Sequence, residues 1–303
     1  MPHKQFLSII LALAPSSSLV RTHGSHPCNT GPNPVGATKI INFDLSMISK
    51  IQRNNFGVLS KDYDAARRGY PDELFKYLKK VIQNKNAKIL DCGCGTGIST
   101  RQLKKYKFNV VGADKDSAMI QIAKSKRDKI SYVVAPAHKL PFKNGEFDVV
   151  TAFTAFHWFA DKRSINEIKR VLKNGGMFID IQKRSSRADT KQLKKITEGY
   201  WAILQKYFGD RADSQKNYDS EMTLKKNGFQ DITYKTFSFM EKYTLFKAMM
   251  LLRSLSNWNL LSDDLKPKFY AEIGDLYKKN LIDGYVFKNK KVKMVIGYLN
   301  RKD

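Results

Sequence analysis

"KILDCGCGTGIS", Lys88–Ser99, carries three glycines at every second position, an aspartate two residues ahead of the first, and a cysteine on each side of that glycine. The stretch reads as strand, loop and helix start. Whatever the loop holds therefore sits at a helix N-terminus, where unpaired backbone N–H groups point outward. A nucleotide phosphate loop needs Lys-Ser/Thr after its last glycine, and Ile98-Ser99 stands there instead. A dinucleotide fingerprint needs Gly-x-Gly-x-x-Gly, whereas Gly93, Gly95 and Gly97 bring the third glycine one residue early. Asp91 also sets a carboxylate beside the loop, which repels a pyrophosphate and suits a ligand with positive charge.

The next strand, "FNVVGAD" (Phe108–Asp114), ends on an acid 17 residues after Gly97. A carboxylate at that point can accept hydrogen bonds from both hydroxyls of a ribose. A ligand with a ribose and a cationic segment but no pyrophosphate fits S-adenosylmethionine. The bland alternative, a tight turn followed by a helix cap, explains each element singly but not the two together. The three cysteines, Cys28, Cys92 and Cys94, and five histidines give no zinc ligand set. An odd count, with two of the three a single residue apart, gives no disulfide framework, which fits a reducing compartment.

Further out, strand and helix patterns alternate. Pro71-Asp72-Glu73 opens a helix whose apolar face is Leu74, Phe75, Leu78, Val81 and Ile82. A helix runs from Ile98 to Tyr106, and another over Asp116–Lys126 with Asp116 as its N-cap. "ISYVVA", "FDVVTAF" and "MFIDI" read as strands, and "RSINEIKRVL" as a helix ended by Asn174-Gly175-Gly176. This alternation predicts an α/β fold with a Rossmann-like, doubly wound, mostly parallel sheet. In the last third, "FQDITYKTFSF" and "KMVIGYL" predict strands that add an antiparallel end to the sheet. Additional helices over 190–208 and 244–282 are expected to form a lid.

With the motifs in place, the chain from about Phe56 to Leu299 resembles the class I S-adenosylmethionine-dependent methyltransferases of the type-11 group, close to the trans-aconitate methyltransferase-like members. "ILDCGCGTG", "VVGADKDSAMI", "APAHKLPFKNGEFDVVTAFTAFHWF" and "EIKRVLKNGGMF" carry the resemblance. "YDAARRGYP" (Tyr63–Pro71) resembles the family's entry segment, with Arg68 where proline is usual. The resemblance implies that Gly93 and Gly95 let the backbone approach the methionyl part of the cofactor, with Asp91 turned to its ammonium. It implies Asp114 on the ribose, Met119 against the adenine, and Ala137 and His138 at the adenine edge. Tyr63 and Arg67 would close over the cofactor's carboxylate end. Cys94 and Lys115, next to the loop glycines and Asp114, complete the expected cofactor-binding set.

Methyl transfer from a sulfonium is an in-line displacement that asks mainly for alignment and exclusion of water. His157, beyond the fourth strand, is the candidate base or orienting group, or else a packed rim histidine. Trp158 and Arg253 are candidate acceptor contacts. In "MMLLRSLSNW" (Met249–Trp258) an apolar wall with one arginine would suit a small carboxylic acid, although the same run also reads as core ending in a surface residue.

Composition limits the partners. The net charge is +26, but lysine supplies 41 of the 54 basic residues, spread in pairs along the chain. Nucleic-acid binders concentrate charge and favour arginine at base edges, so the pattern reads as a solvated surface. A small-molecule acceptor is expected. An RNA or protein methyltransferase using the basic surface is the alternative, and a cofactor-binding paralogue without activity the third reading. Residues 1–46 combine an apolar run, Phe6–Ala14, with a Gly/Pro/Ser-rich stretch. They read as a disordered or leader-like extension ahead of a methyltransferase domain over 47–303, in a cytoplasmic protein with no membrane partner.

Overall fold

The computed structural model describes residues 64–186, 190–209, 218–255, 258 and 260–300. The expected extension over 1–46, its boundary at 47, and Tyr63 lie outside the described residues.

Helix α1 (Asp72–Val81) follows Pro71, carries Asp72 and Glu73 in its first turn, and buries Leu74, Phe75 and Leu78. Strand β1 (Lys88–Cys92) leads through the glycine loop into α2 (Ile98–Lys105). Then come β2 (Asn109–Asp114), α3 (Ser117–Ser125), β3 (Ser131–Val134), β4 (Phe147–Phe153), α4 (Lys162–Val171) and β5 (Leu172–Ser185). Asp116 caps α3 by accepting from the backbone N–H groups of Ala118 and Met119. The remainder is α5 (Lys191–Phe208), α6 (Ser220–Lys226), β6 (Gln230–Thr244), α7 (Leu245–Arg253), α8 (Leu265–Lys279) and β7 (Tyr285–Tyr298).

The seven strands lie in the order β3-β2-β1-β4-β5-β7-β6. Strands β1 to β5 pair in parallel, and β7 runs antiparallel between β5 and the edge strand β6. The chain leaves β1 towards β3 on one side and returns to β4 on the other. The C-terminal ends of β1 and β4 therefore flank the crevice where such sheets bind ligands. One apolar layer, including Leu74, Phe75, Val149, Ile179 and Met294, covers one sheet face. A second, including Leu90, Phe147, Phe156, Ile168 and Phe178, covers the other.

Two details differ from the sequence reading. Helix α4 stops at Val171 because Leu172 turns extended and pairs with Phe147, so Gly175 and Gly176 fall inside the first part of β5. Gly175 then donates to the Leu299 carbonyl and Leu299 to that of Gly176. Strands β6 and β7 also run further than their apolar alternation indicates, pairing as far as Thr244 with Tyr285. The added length is rich in Lys, Glu and Tyr, so no two-residue hydrophobic period marks it.

Helices α5, α7 and α8 form their own apolar layer with Tyr243 and Val286, which lie where β6 ends and β7 begins. Because β7 is antiparallel, that position is the same sheet edge on which β5 ends, through the Ser185–Lys290 pair. The helical layer thus stands at the C-terminal edge of the parallel strands.

Candidate functional site

The loop after β1 is fixed by its own backbone. Gly93 and Cys94 both donate to the Ala113 carbonyl, at 2.8 and 3.0 Å, which ties the loop to the end of β2. Gly95 N–H donates to Asp114 Oδ2 at 2.8 Å, and Asp116 N–H to Asp114 Oδ1 at 2.9 Å. Each carboxylate oxygen is oriented by one amide and keeps a lone pair for a further donor. Burial raises the pKa of Asp114, and these two amide bonds oppose that rise. At Gly95 the backbone is left-handed (φ +54°), and an added Cβ would meet nothing within 4 Å. At Gly97 (φ +79°) it would lie 2.6 Å from the Tyr132 hydroxyl. One glycine opens a cradle, and the other permits close packing beneath it.

Asp91 lies under the loop. It is fully buried and accepts from Ser99 Oγ at 2.8 Å, Thr100 Oγ1 at 2.7 Å and Thr151 Oγ1 at 3.2 Å. It thereby joins the first turn of α2 to β4. Burial pushes its pKa up to about 6 against these hydrogen bonds. Cys92 and Cys94 are buried free thiols whose pKa values burial raises, so neither is a thiolate near neutrality.

A cavity of about 320 Å³ opens along the crevice. Gly93, Cys94, Gly95, Asp114, Lys115, Met119, Ala137 and His138 line it, together with Arg67 and Trp158. The structure thus brings together most of the residues that the sequence singles out. Asp91, His157 and Arg253 are not on its wall. His157 packs against the Trp158 ring at 4.8 Å and the Tyr218 ring at 6.1 Å, and burial, with the Arg184 charge, pushes it down to about 4. Arg253 is exposed, because α7 buries Ala248, Met249, Leu251 and Leu252 and leaves position 253 on the outer side. None of the expected lid helices lines the cavity. The end of α7 reaches it through Arg67, whose Nη2 donates to the Ser254 carbonyl at 3.4 Å.

Three wall residues carry no warning in the sequence. Thr154, just past β4, has φ +52°, a strained conformation for a β-branched residue. Its hydroxyl is 2.8 Å from that of Tyr70 and accepts the Lys183 amide at 3.1 Å. Lys183 Nζ donates to the carbonyls of Arg68 and Gly69, at 2.7 and 3.0 Å, and pairs with Glu241 at 3.0 Å. Reciprocal bonds between Tyr70 and Gln102 pin the entry segment to α2. Tyr70 falls within "YDAARRGYP" and Thr154 within "APAHKLPFKNGEFDVVTAFTAFHWF", whereas Lys183 belongs to no motif.

The residues fit an adenosyl ligand. Gly95 leaves a space that a Cβ would fill, and Asp114 presents two oriented oxygens beside it. Residues 90–180 match the methyltransferase domain family. The uncharacterized protein MJ1252 of Methanocaldococcus jannaschii is 33% identical over 216 residues, spanning 63% of this chain and 82% of its own length. This chain belongs to the S-adenosylmethionine-dependent methyltransferases. Its cofactor is S-adenosylmethionine. The uncharacterized methyltransferase C25B8.09 of Schizosaccharomyces pombe is 25% identical over 72% of this chain and 84% of its own. In fold, the chain is similar to a protein of Anaeromyxobacter dehalogenans assigned as a type II methyltransferase. The TM-score is 0.58 at 20% identity, covering 77% of this chain and 97% of that one. Among the described residues no helix is long and apolar enough to cross a membrane, and no cluster of His, Cys, Asp or Glu could hold a metal.

Proposed function

We propose that the enzyme methylates a small carboxylic acid. The observation that carries this reading is the polarity of the cavity. Asp114 and the open glycine backbone line it from the β1–β2 side of the crevice, and Arg67, Arg68 and Lys183 also line it, Lys183 from β5 beyond β4. An acid would enter on the side of Tyr70, Thr154, Trp158 and Lys183. The resemblance of the motifs to trans-aconitate methyltransferase-like members supports the same acceptor class.

The cofactor supplies a methyl group already activated on a sulfonium. In this reading Asp114 accepts from the ribose hydroxyls, Met119 packs against the adenine, and Ala137, His138 and Lys115 border it. Arg67 neutralises the carboxylate of the amino-acid end. Asp91 acts from below, by holding the α2 turn and hence the loop. A carboxylate acceptor is ionised at neutral pH, so no group has to remove a proton before transfer. That agrees with a His157 that is neutral and set back from the wall. Tyr70 and Thr154, hydroxyl to hydroxyl, can orient the acceptor.

The test is incubation of purified protein with methyl-labelled S-adenosylmethionine and a metabolite extract, read by mass spectrometry. A labelled methyl ester is expected. Label found only in RNA, protein, amines or phenols overturns the acceptor class.

A further inference from the structure

The helical layer meets the sheet through polar groups of which the proposed methyl transfer uses only Lys183. Glu241 pairs with Lys288 across β6 and β7, and Ser185 with Lys290 across β5 and β7. Directly paired residues project from the same face, and Lys183 joins them by the two-residue period of β5. Within this group the Lys183–Glu241 pair is satisfied, Glu241 also accepting from the Tyr243 hydroxyl at 2.7 Å.

Lys288 makes no hydrogen bond or ion pair among the described residues. Its ammonium lies over ring faces, Tyr277 at 4.8 Å, Tyr200 at 5.2 Å and Tyr243 at 5.9 Å, within the field of Glu241. Tyr277 is fully buried, and its hydroxyl has no hydrogen-bond partner among the described residues. Lys290 donates to the Ser185 hydroxyl at 3.0 Å. A buried hydroxyl and two ammonium groups thus share a niche whose carboxylate, Glu241, is already engaged by Lys183. Such a niche is short of negative charge. Burial, then the Lys290 charge, pushes Lys288 down to about 7, with Glu241 opposing. Burial pushes Lys290 down to about 8, Lys183 and Arg67 adding to the effect and Glu241 opposing it. Lys183 and Arg67 both line the cofactor cavity, so the niche adjoins the acceptor end.

We propose that Lys288, Lys290 and the Tyr277 hydroxyl anchor an anionic group of the acceptor, a carboxylate or a phosphate, separate from the atom that receives the methyl group. The proposal rests on the methyltransferase reading of the cavity. It deepens that reading by making the acceptor a molecule with an additional anionic group, which would take hydrogen bonds from Lys288 and the Tyr277 hydroxyl, neither of which donates one to a described residue, and from Lys290 beside its bond to Ser185.

The test is calorimetry at fixed ionic strength on protein saturated with S-adenosylhomocysteine, titrated separately with citrate and with inorganic phosphate. Saturable one-to-one binding of at least one probe is expected, and the tighter probe identifies the anion. Lys288→Gln should weaken it by about tenfold or more. Tyr277→Phe should weaken it too, yet leave the melting temperature of the ligand-free protein unchanged or higher, because the lost hydroxyl made no bond. Lys104→Gln, on the exposed face of α2, controls for the basic surface and should leave binding as it was. Absence of saturable binding of both probes, or equal binding by parent, Lys288→Gln and Tyr277→Phe, overturns the proposal. Failure of S-adenosylhomocysteine to bind in the first step overturns the cavity reading itself, and the anchor with it.

Discussion

Gly95→Ala and Gly97→Ala separate what the loop does for the ligand from what it does for the fold. At Gly95 the left-handed backbone costs an L-residue about 1–2 kcal/mol. The new methyl meets nothing within 4 Å, so no packing strain is added. At about 2–4 °C per kcal/mol for a domain of this size, the melting temperature should fall by roughly 2–8 °C. The same methyl enters the cavity beside Asp114, where the cofactor must approach the backbone. Affinity for S-adenosylhomocysteine should therefore drop by about tenfold or more, which is about 1.4 kcal/mol. Gly97→Ala carries similar backbone strain plus a contact 2.6 Å from the Tyr132 hydroxyl. That hydroxyl cannot swing aside without breaking its 2.9 Å bond to Asp128. Overpacking adds about 1–3 kcal/mol, so the total destabilisation is roughly 2–5 kcal/mol. Scanning calorimetry and titration calorimetry on both variants decide the matter. If Gly95→Ala binds the ligand like the parent, or is the less stable of the two, the backbone of the loop does not cradle the cofactor as argued.

Asp114→Asn should weaken S-adenosylhomocysteine by about tenfold or more, through loss of charge-assisted bonds to the ribose; unchanged affinity in titration calorimetry contradicts that role. Lys183→Met should destabilise the fold by about 1–3 kcal/mol, because Glu241 loses its ion pair but keeps the Lys290 charge and the Tyr243 hydroxyl, and Lys183→Met/Glu241→Gln should recover part of the loss; denaturant midpoints measure both. Asp180, accepting from Gln182 and Tyr218, is held up at about 6 by burial, so the folded state binds its proton more tightly than the unfolded chain does. Its contribution to stability therefore falls as pH rises from about 4 to about 6, reaching a deficit of about 3 kcal/mol above that. Asp180→Asn should gain on the parent through the same window, and a parent–variant difference that stays flat from about pH 4 to 7 refutes the assignment.

The parts of the site that were legible in the sequence are those that local spacing determines. Gly93, Gly95 and Gly97 sit in one turn, and Asp114 ends the adjacent parallel strand, so both land in the crevice once the sheet order is known. Met119 follows from the helix that Asp116 caps. Asp91 shows where local reasoning falls short. Its place in the motif points it at a ligand, but Ser99 and Thr100, in the first turn of α2, come back over it and both donate to one oxygen. A buried carboxylate takes the nearest hydroxyls it can reach, and the pair of hydroxyls eight and nine residues on was visible in the chain as a warning. Arg253 fails for a similar reason: a cation next to an apolar run shows composition, whereas the buried face of α7 excludes position 253.

The acceptor end was hidden for a different reason. Lys183, Glu241 and Lys288 come from three strands, and Arg67, Tyr200 and Tyr277 from the entry segment and two helices, so no window of sequence contains the niche. Charge count hides it further. In a chain with 41 lysines, any single lysine reads as solvated surface, and here most of them are. What sets Lys288 and Lys290 apart is register. The antiparallel insertion of β7 beside β5 aligns Lys290 with Ser185, and the pairing with β6 aligns Lys288 with Glu241, turning both ammonium groups towards the helical layer. A shift of β7 by one residue would exchange the faces and put Lys291 and Asn289 there instead. The strand pairing that closes the sheet is thus what converts a diffuse basic composition into a localised anion site.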